Sequence, residues 1–190
     1  MPAIRLVILG RQGSGKGTQS VRIAETFGCV HVSTGDMLRA AVAEGSDLGQ
    51  QASAVMEAGG LVSDDIMNGI VAERLAKPDI VANGVLLDGF PRTADQADAL
   101  ESMLSELNSK ISMAINLDVP VEEVTKRMME RGRSDDTEAA IRRRLQLYEE
   151  QTAPLLRWFD RRGLLKTIDG LGTESEIFDR IKFAINELAN

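Results

Sequence analysis

Short apolar blocks alternate with stretches of helical spacing along the whole chain. The first block, Ile4–Leu9, is broken only by Arg5 and is too short for a helix. Such a run predicts a strand buried on both faces of a parallel sheet. Further strands are expected at Cys29–Ser33, Val85–Leu87 (ending at Asp88), Met113–Leu117 and Leu165–Ile168. Helical spacing covers Lys16–Phe27, stopping at Gly28, then Thr34–Ala43, Asp47–Ala58 and Ser63–Ala76, broken by Gly45 and Gly59-Gly60. It resumes at Thr93–Leu107, Val121–Arg131, Glu138–Arg162 (with Pro154 bending it) and Thr173–Ala189. Strands alternating with helices predict an α/β fold: a five-stranded parallel sheet, helices on both faces, and right-handed crossovers. Ligands in such sheets sit at the carboxyl ends of the strands.

The segment leaving the first strand is the most informative. Residues 10–18 read Gly-Arg-Gln-Gly-Ser-Gly-Lys-Gly-Thr. The glycines let backbone N–H groups turn inward around a polyphosphate. The following helix N-terminus adds partial positive charge, and Lys16 adds a full one. Gly10, Gly15 and Lys16 meet the spacing G-x4-G-K, but Gly17 stands where Ser or Thr usually follows, with Thr18 one place later. An ordinary strand-to-helix turn needs one or two glycines rather than four in eight residues.

Composition narrows the class. A chain of 190 residues with 43% hydrophobic side chains builds one domain with small insertions. Its net charge of −7 argues against nucleic-acid binding, yet ten of its 22 lysines and arginines fall between Lys126 and Arg162, which points to a confined anionic ligand. A single cysteine, Cys29, excludes an internal disulfide, and with one histidine, His31, there is no Cys/His cluster for zinc. Both read as packing residues. No signal peptide fits ahead of Gly10, and no apolar stretch reaches membrane-spanning length, so the expectation is a cytoplasmic protein.

Three more motifs carry candidate chemistry. Ser33–Arg39 sets Asp36 and Arg39 across one helical turn, with Thr34 as a possible N-cap; alone it would read as a capped helix with a surface arginine. Leu86–Thr93 puts Asp88 at a strand end and Arg92 after Pro91, with Gln96 one turn on. A carboxylate there, beside a phosphate loop, suits Mg²⁺ held directly or through water; the bland alternative is a cap for the next helix. Lys126–Asp136 puts Arg127 and Arg131 on one helix face and Arg133 after Gly132. Arg142, Arg143, Arg161 and Arg162 read as a solvated basic face.

These motifs in this order, closing with Tyr148 and Thr152–Leu155, resemble the adenylate kinases, a family of P-loop nucleoside monophosphate kinases. The likeness spans essentially the whole chain. It implies a P-loop NTPase core over residues 1–32, 63–125 and 137–190, a helical AMP-binding segment over 33–62, and a very short lid over 126–136. It implies reversible phosphoryl transfer from MgATP to AMP, giving two ADP, by a monomer without zinc, membrane or nucleic-acid partner. It assigns Gly13, Ser14, Gly15, Lys16, Gly17 and Thr18 to the ATP phosphates, with Arg127 packing on ATP and the Gly172 backbone meeting its adenine. The AMP site would take Thr34, Arg39, Gly60, Leu61, Val62, Gly89, Phe90, Pro91, Arg92 and Gln96. Arg133 and Arg144 would reach the transferring phosphates. Lys16, Arg92, Arg127, Arg133 and Arg144 would be the catalytic cations, with no general base needed. Asp88 would serve Mg²⁺ through water.

Three departures stand out: Gln12 and Ser63 replace prolines usual in the family, and the lid is shorter than in the animal cytosolic type. The nearest rival is a UMP/CMP kinase, where Ala tends to replace Thr34 and Asn tends to replace Thr93. A nucleotide sensor would be expected to have lost Lys16 or a clamp arginine. A GTPase-like switch needs Asn-Lys-x-Asp, which Asn108-Ser109-Lys110 does not supply.

Overall fold

The computed structural model describes residues 3–45, 47–58, 60–133 and 136–189. Among them β1 (Ile4–Leu9), β2 (Val30–Ser33), β3 (Gly84–Asp88), β4 (Met113–Asp118) and β5 (Leu165–Asp169) form one parallel sheet in the order β2-β3-β1-β4-β5. The apolar run of β1 lies at its centre, where both faces are covered. Strand alternation then divides the core. Val7 and Leu9 pack with Leu87, Leu100 and Phe159 on one side, while Leu6 and Ile8 pack with Ile23, Ile115 and Ile181 on the other. Each such side chain, fully buried, contributes about 1.5–3 kcal/mol. The strand ends are therefore anchored on a stiff platform.

The helices are α1 (Lys16–Phe27), α2 (Thr34–Glu44), α3 (Asp47–Glu57), α4 (Asp64–Leu75), α5 (Pro78–Asn83), α6 (Ala94–Glu106), α7 (Val121–Arg131), α8 (Glu138–Leu147), α9 (Ala153–Asp160) and α10 (Glu174–Asn186). The expected α/β architecture is present, and the bounds of β1, α1 and α7 match the sequence pattern.

Three local expectations change. The long helix over Glu138–Arg162 is two helices joined by a π-helical turn, Tyr148–Thr152. Pro154 has no N–H for the carbonyl four residues back, and a widened turn ahead of it absorbs the mismatch. The short helix α5 was not anticipated; Pro78 opens it and Gly84 closes it within six residues, too few to show a period. The cap of α2 is Ser33 rather than Thr34: the Ser33 hydroxyl accepts the Asp36 N–H at 3.2 Å. Gly59 of the expected break, and Ser134 and Asp135 of the expected lid, lie outside the described residues.

Register gathers the functional ends. Ser33 and Ile8 both pair with Asp88, so the ends of β2, β3 and β1 fall level and open onto one cleft.

Candidate active site

The phosphate loop links β1 to α1. Gly13 sits at φ 84°, and a Cβ there would lie 2.7 Å from the carbonyl oxygen of Val124 in α7. A side chain at this position would drive the loop away from that helix as well as strain its own backbone. The Lys16 ammonium donates to the carbonyls of Gly10 at 2.7 Å and Arg11 at 3.0 Å, within its own loop. Burial lowers its pKa to about 8; Asp88 opposes that shift, while Arg92 and Arg131 add to it. Arg11 leaves the loop sideways: its Nε and Nη2 donate to Glu149 Oε1 at 2.9 and 2.6 Å, its Nη1 donates to the Val119 carbonyl, and its guanidinium lies over the Tyr148 ring.

Across the cleft, Gly89 turns the chain out of β3 at φ 88°, and a Cβ there would meet the Thr34 hydroxyl at 2.7 Å. Only glycine lets the two segments approach this closely. Thr34 is buried, with its hydroxyl 3.4 Å from the Asp88 carbonyl. Arg92 is held back over the sheet edge by its Nε bond to the Gly89 carbonyl at 2.8 Å. Burial works against its charge and Asp88 favours it, while Arg144 and Arg39 repel it. Cations crowded in this way are relieved by an arriving anion.

The outer arginines are handled differently. Arg39 pairs with Asp36, and Arg127 pairs with Glu123 at 2.7 Å. Asp136 accepts from Arg131 through Nε at 2.9 Å and Nη2 at 2.8 Å, from Arg144 Nη1 at 3.1 Å, and from the Arg133 backbone N–H at 3.2 Å. Burial would raise the Asp136 pKa, but these arginines hold it below the ordinary carboxylate range.

A cavity of about 520 Å³ runs between the two sides, a volume suited to small-molecule ligands. Gly13, Gly15, Lys16, Gly17 and Thr18 line its phosphate-loop end. Gly35, Arg39, Gly60, Leu61, Gly89, Pro91 and Arg92 form the opposite end, and Arg127, Arg133 and Arg144 close over it. A smaller adjoining pocket takes Thr34, Val62 and Gln96. Ser14 lies buried under the loop, Phe90 is part of the core, and Gly172 sits in the turn after β5, outside both cavity walls.

Asp88 lines the cleft, and the N-cap of α6 is Thr93, so the capping alternative for Asp88 fails. Cys29 packs in the core as expected, but His31 does not follow it: His31 lines the cleft, with Nε2 3.7 Å from Asp88 Oδ2. Sequence reasoning also gave no role to Arg11 and Asp64, and took Tyr148 only as a motif position. Arg11 and Tyr148 each carried one signal, a place inside a motif; Asp64 had none, because its relevance comes from a contact between distant elements. Arg142 pairs with Glu138 while largely exposed, and Arg162 stacks on Trp158 at 3.5 Å, in keeping with an outer face.

The chain can be compared with known proteins on this footing. The family model for adenylate kinase matches residues 8–164. An adenylate kinase of Stenotrophomonas maltophilia is 48% identical over 186 residues, covering 96% of this chain and 99% of the relative. One from Nocardia farcinica is 48% identical over 177 residues (93% and 96%), and one from Mycobacteroides abscessus 47% over 182 residues (96% and 99%). Likeness of this extent takes in the phosphate loop, the Asp88–Gln96 segment and the arginines facing them, so the chain belongs to the adenylate kinase family.

Proposed function

We propose that the arginine-lined cleft is where this family member brings ATP and AMP together, with ATP on the Gly13–Thr18 side and AMP on the Thr34–Gln96 side. The reaction is reversible transfer of the terminal phosphoryl group of ATP to AMP, giving two ADP, which balances the adenine nucleotides. The observation that carries the division of the cleft is its two-ended lining: a glycine loop with Lys16 at one end, and Arg39 with Arg92 at the other.

Two polyphosphates repel, so their approach requires positive charge and exclusion of water more than covalent help. Lys16 leaves its loop carbonyls to meet the ATP phosphates. Arg92, held at the sheet edge, takes the AMP phosphate through its planar fork. Arg127, Arg133 and Arg144 close from above as Glu123 and Asp136 give up part of their hold. The acceptor phosphate is already ionised near neutral pH, so no base is assigned.

The carboxylate of Asp88 fits an Mg²⁺ carried by ATP: it is a hard oxygen ligand at the phosphate-loop end. Among the described residues no group of three or more His, Cys, Asp and Glu is placed to hold a metal independently. When bound with ATP, Mg²⁺ would neutralise charge on the phosphates, with Asp88 holding its water shell. The core, AMP-binding and lid divisions at 33–62 and 126–136 follow the same reading. So does a monomer in the cytoplasm, where its substrates ATP, AMP and ADP reside; among the described residues no helix is long and apolar enough to cross a membrane.

The test is ADP formation from MgATP with AMP, dAMP, UMP and CMP offered separately. AMP is expected to be the best acceptor, with UMP and CMP much poorer. Preference for UMP would transfer the assignment to a pyrimidine nucleotide kinase.

A further inference from the structure

Gln96 is 2% exposed, and its amide is held at both ends. Oε1 accepts the backbone N–H of Arg92 at 2.8 Å, and Nε2 donates to Asp64 Oδ1 at 2.6 Å. The Thr93 hydroxyl caps the Gln96 N–H at 3.2 Å, which fixes the turn of α6 that carries it. A glutamine amide is nearly symmetric in shape and can turn over about its last torsion. Here the two partners are of opposite and fixed polarity. A backbone N–H only donates, and an ionised carboxylate only accepts. Turned over, the amide would set oxygen against the Asp64 carboxylate and N–H against the Arg92 N–H. The amide therefore has one orientation, leaving one N–H and one lone pair in fixed order beside the pocket formed with Val62 and Met67.

That order decides which purine edge fits. A 6-aminopurine presents an amino donor beside a ring-nitrogen acceptor. A 6-oxopurine presents an oxygen acceptor beside a ring N–H donor. An amide free to turn over serves both, whereas a locked one serves one and leaves buried groups mispaired with the other. We propose that Asp64 is a specificity-determining positioning residue, fixing the Gln96 amide so that the acceptor is a 6-aminopurine monophosphate rather than its 6-oxo counterpart. This rests on Gln96 meeting the acceptor base. Asp64 also lies in the first turn of α4, where a carboxylate favours the helix dipole, but the exposed Asp65 beside it can do the same.

The experiment compares kcat/KM for AMP and IMP at saturating MgATP in the unmodified protein, Asp64→Asn, Asp65→Asn and Gln96→Ala, with thermal melts of each. An asparagine amide in place of the Asp64 carboxylate can accept or donate, so a turned-over Gln96 is then opposed only by the Arg92 N–H and the lock is weakened. Asp64→Asn should lower the AMP-to-IMP ratio by about tenfold or more, through a higher KM for AMP and a lower one for IMP, with kcat and the KM for ATP changing less. Asp65→Asn should leave the ratio unchanged. A folded Asp64→Asn with the original ratio, or an equal shift in Asp65→Asn, overturns the proposal. If Gln96→Ala abolishes the preference and Asp64→Asn does not, Asp64 alone is wrong; if Gln96→Ala leaves the preference intact, Gln96 does not read the base and both fall. Should Asp64→Asn fail to fold, Asp64→Ser is judged by the same criteria.

Discussion

The cleft holds two kinds of cation. Lys16 and Arg92 bond to backbone carbonyls of their own loops and sit where burial works against their charge. Arg39, Arg127, Arg131 and Arg144 lie further out and lean on the carboxylates of Asp36, Glu123 and Asp136. The inner pair is placed by short loops at the ends of central strands, so a phosphate finds it preorganised and displaces only neutral oxygens. The outer set is partly neutralised, and a ligand must outcompete carboxylates to recruit it. The partly exposed Arg39–Asp36 and Arg127–Glu123 pairs are worth only about 0–1 kcal/mol each, so a polyphosphate recruits those arginines easily, whereas Asp136 is enclosed by Arg131 and Arg144 and holds them harder. Preorganised charge suits binding and catalysis; shielded charge suits an element that must open again.

The sharpest break of this contrast is Lys16→Met. Losing a preorganised charge at a developing anion should cost about 10²–10³ in turnover while the fold persists. Steady-state rates together with a thermal melt measure it, and more than about a tenth of the activity remaining would remove Lys16 from the inner pair.

Arg92→Ala should come next, weakening AMP far more than ATP in separate titrations. Equal loss for both nucleotides would mean the cleft is divided wrongly.

Burial lowers the pKa of the Lys16 ammonium from 10.5 to about 8. Its charge is fully present below that value and is lost as pH rises through it. ATP affinity should therefore hold steady below about pH 8 and fall above it, by up to about tenfold per pH unit. A flat profile between about pH 7 and 9.5 in calorimetric titrations would contradict a depressed lysine at this position.

For the outer set, a bisubstrate analogue joining two adenosines through phosphates should bind far more tightly than either nucleotide. It should also protect the Arg131–Arg133 segment from proteolysis, since closure is a population shift biased by the ligand. Unchanged cleavage would sever the arginines from closure.

The smallest effect belongs to Arg11→Ala. Gln12 stands where the family usually has proline, and Arg11 ties the same loop to Glu149 and Tyr148. Loss of that tie should raise the KM for ATP by about threefold to tenfold with AMP little affected, in keeping with a partly exposed charged bond. Glu149→Gln should reproduce most of it.

The sequence by itself determined the alternation of strands and helices, because buried parallel strands require continuous apolar runs and surface helices require a 3.6-residue period. It also determined the phosphate loop, whose chemistry resides in contiguous residues: glycines for the approach of the backbone, then a lysine at a helix start. The tertiary structure decided what depends on contacts between segments far apart in the chain. It placed His31 against Asp88 through the pairing of β2 with β3, and Arg11 against Glu149 across 138 residues. It split the helix before Pro154, since how a helix absorbs a missing N–H depends on what packs around it. It set Asp64 on the Gln96 amide, 32 residues away. Periodicity and motif spacing report local geometry; the partner of a polar group is chosen by the folded chain, where leaving such a group unpaired costs more than any local preference.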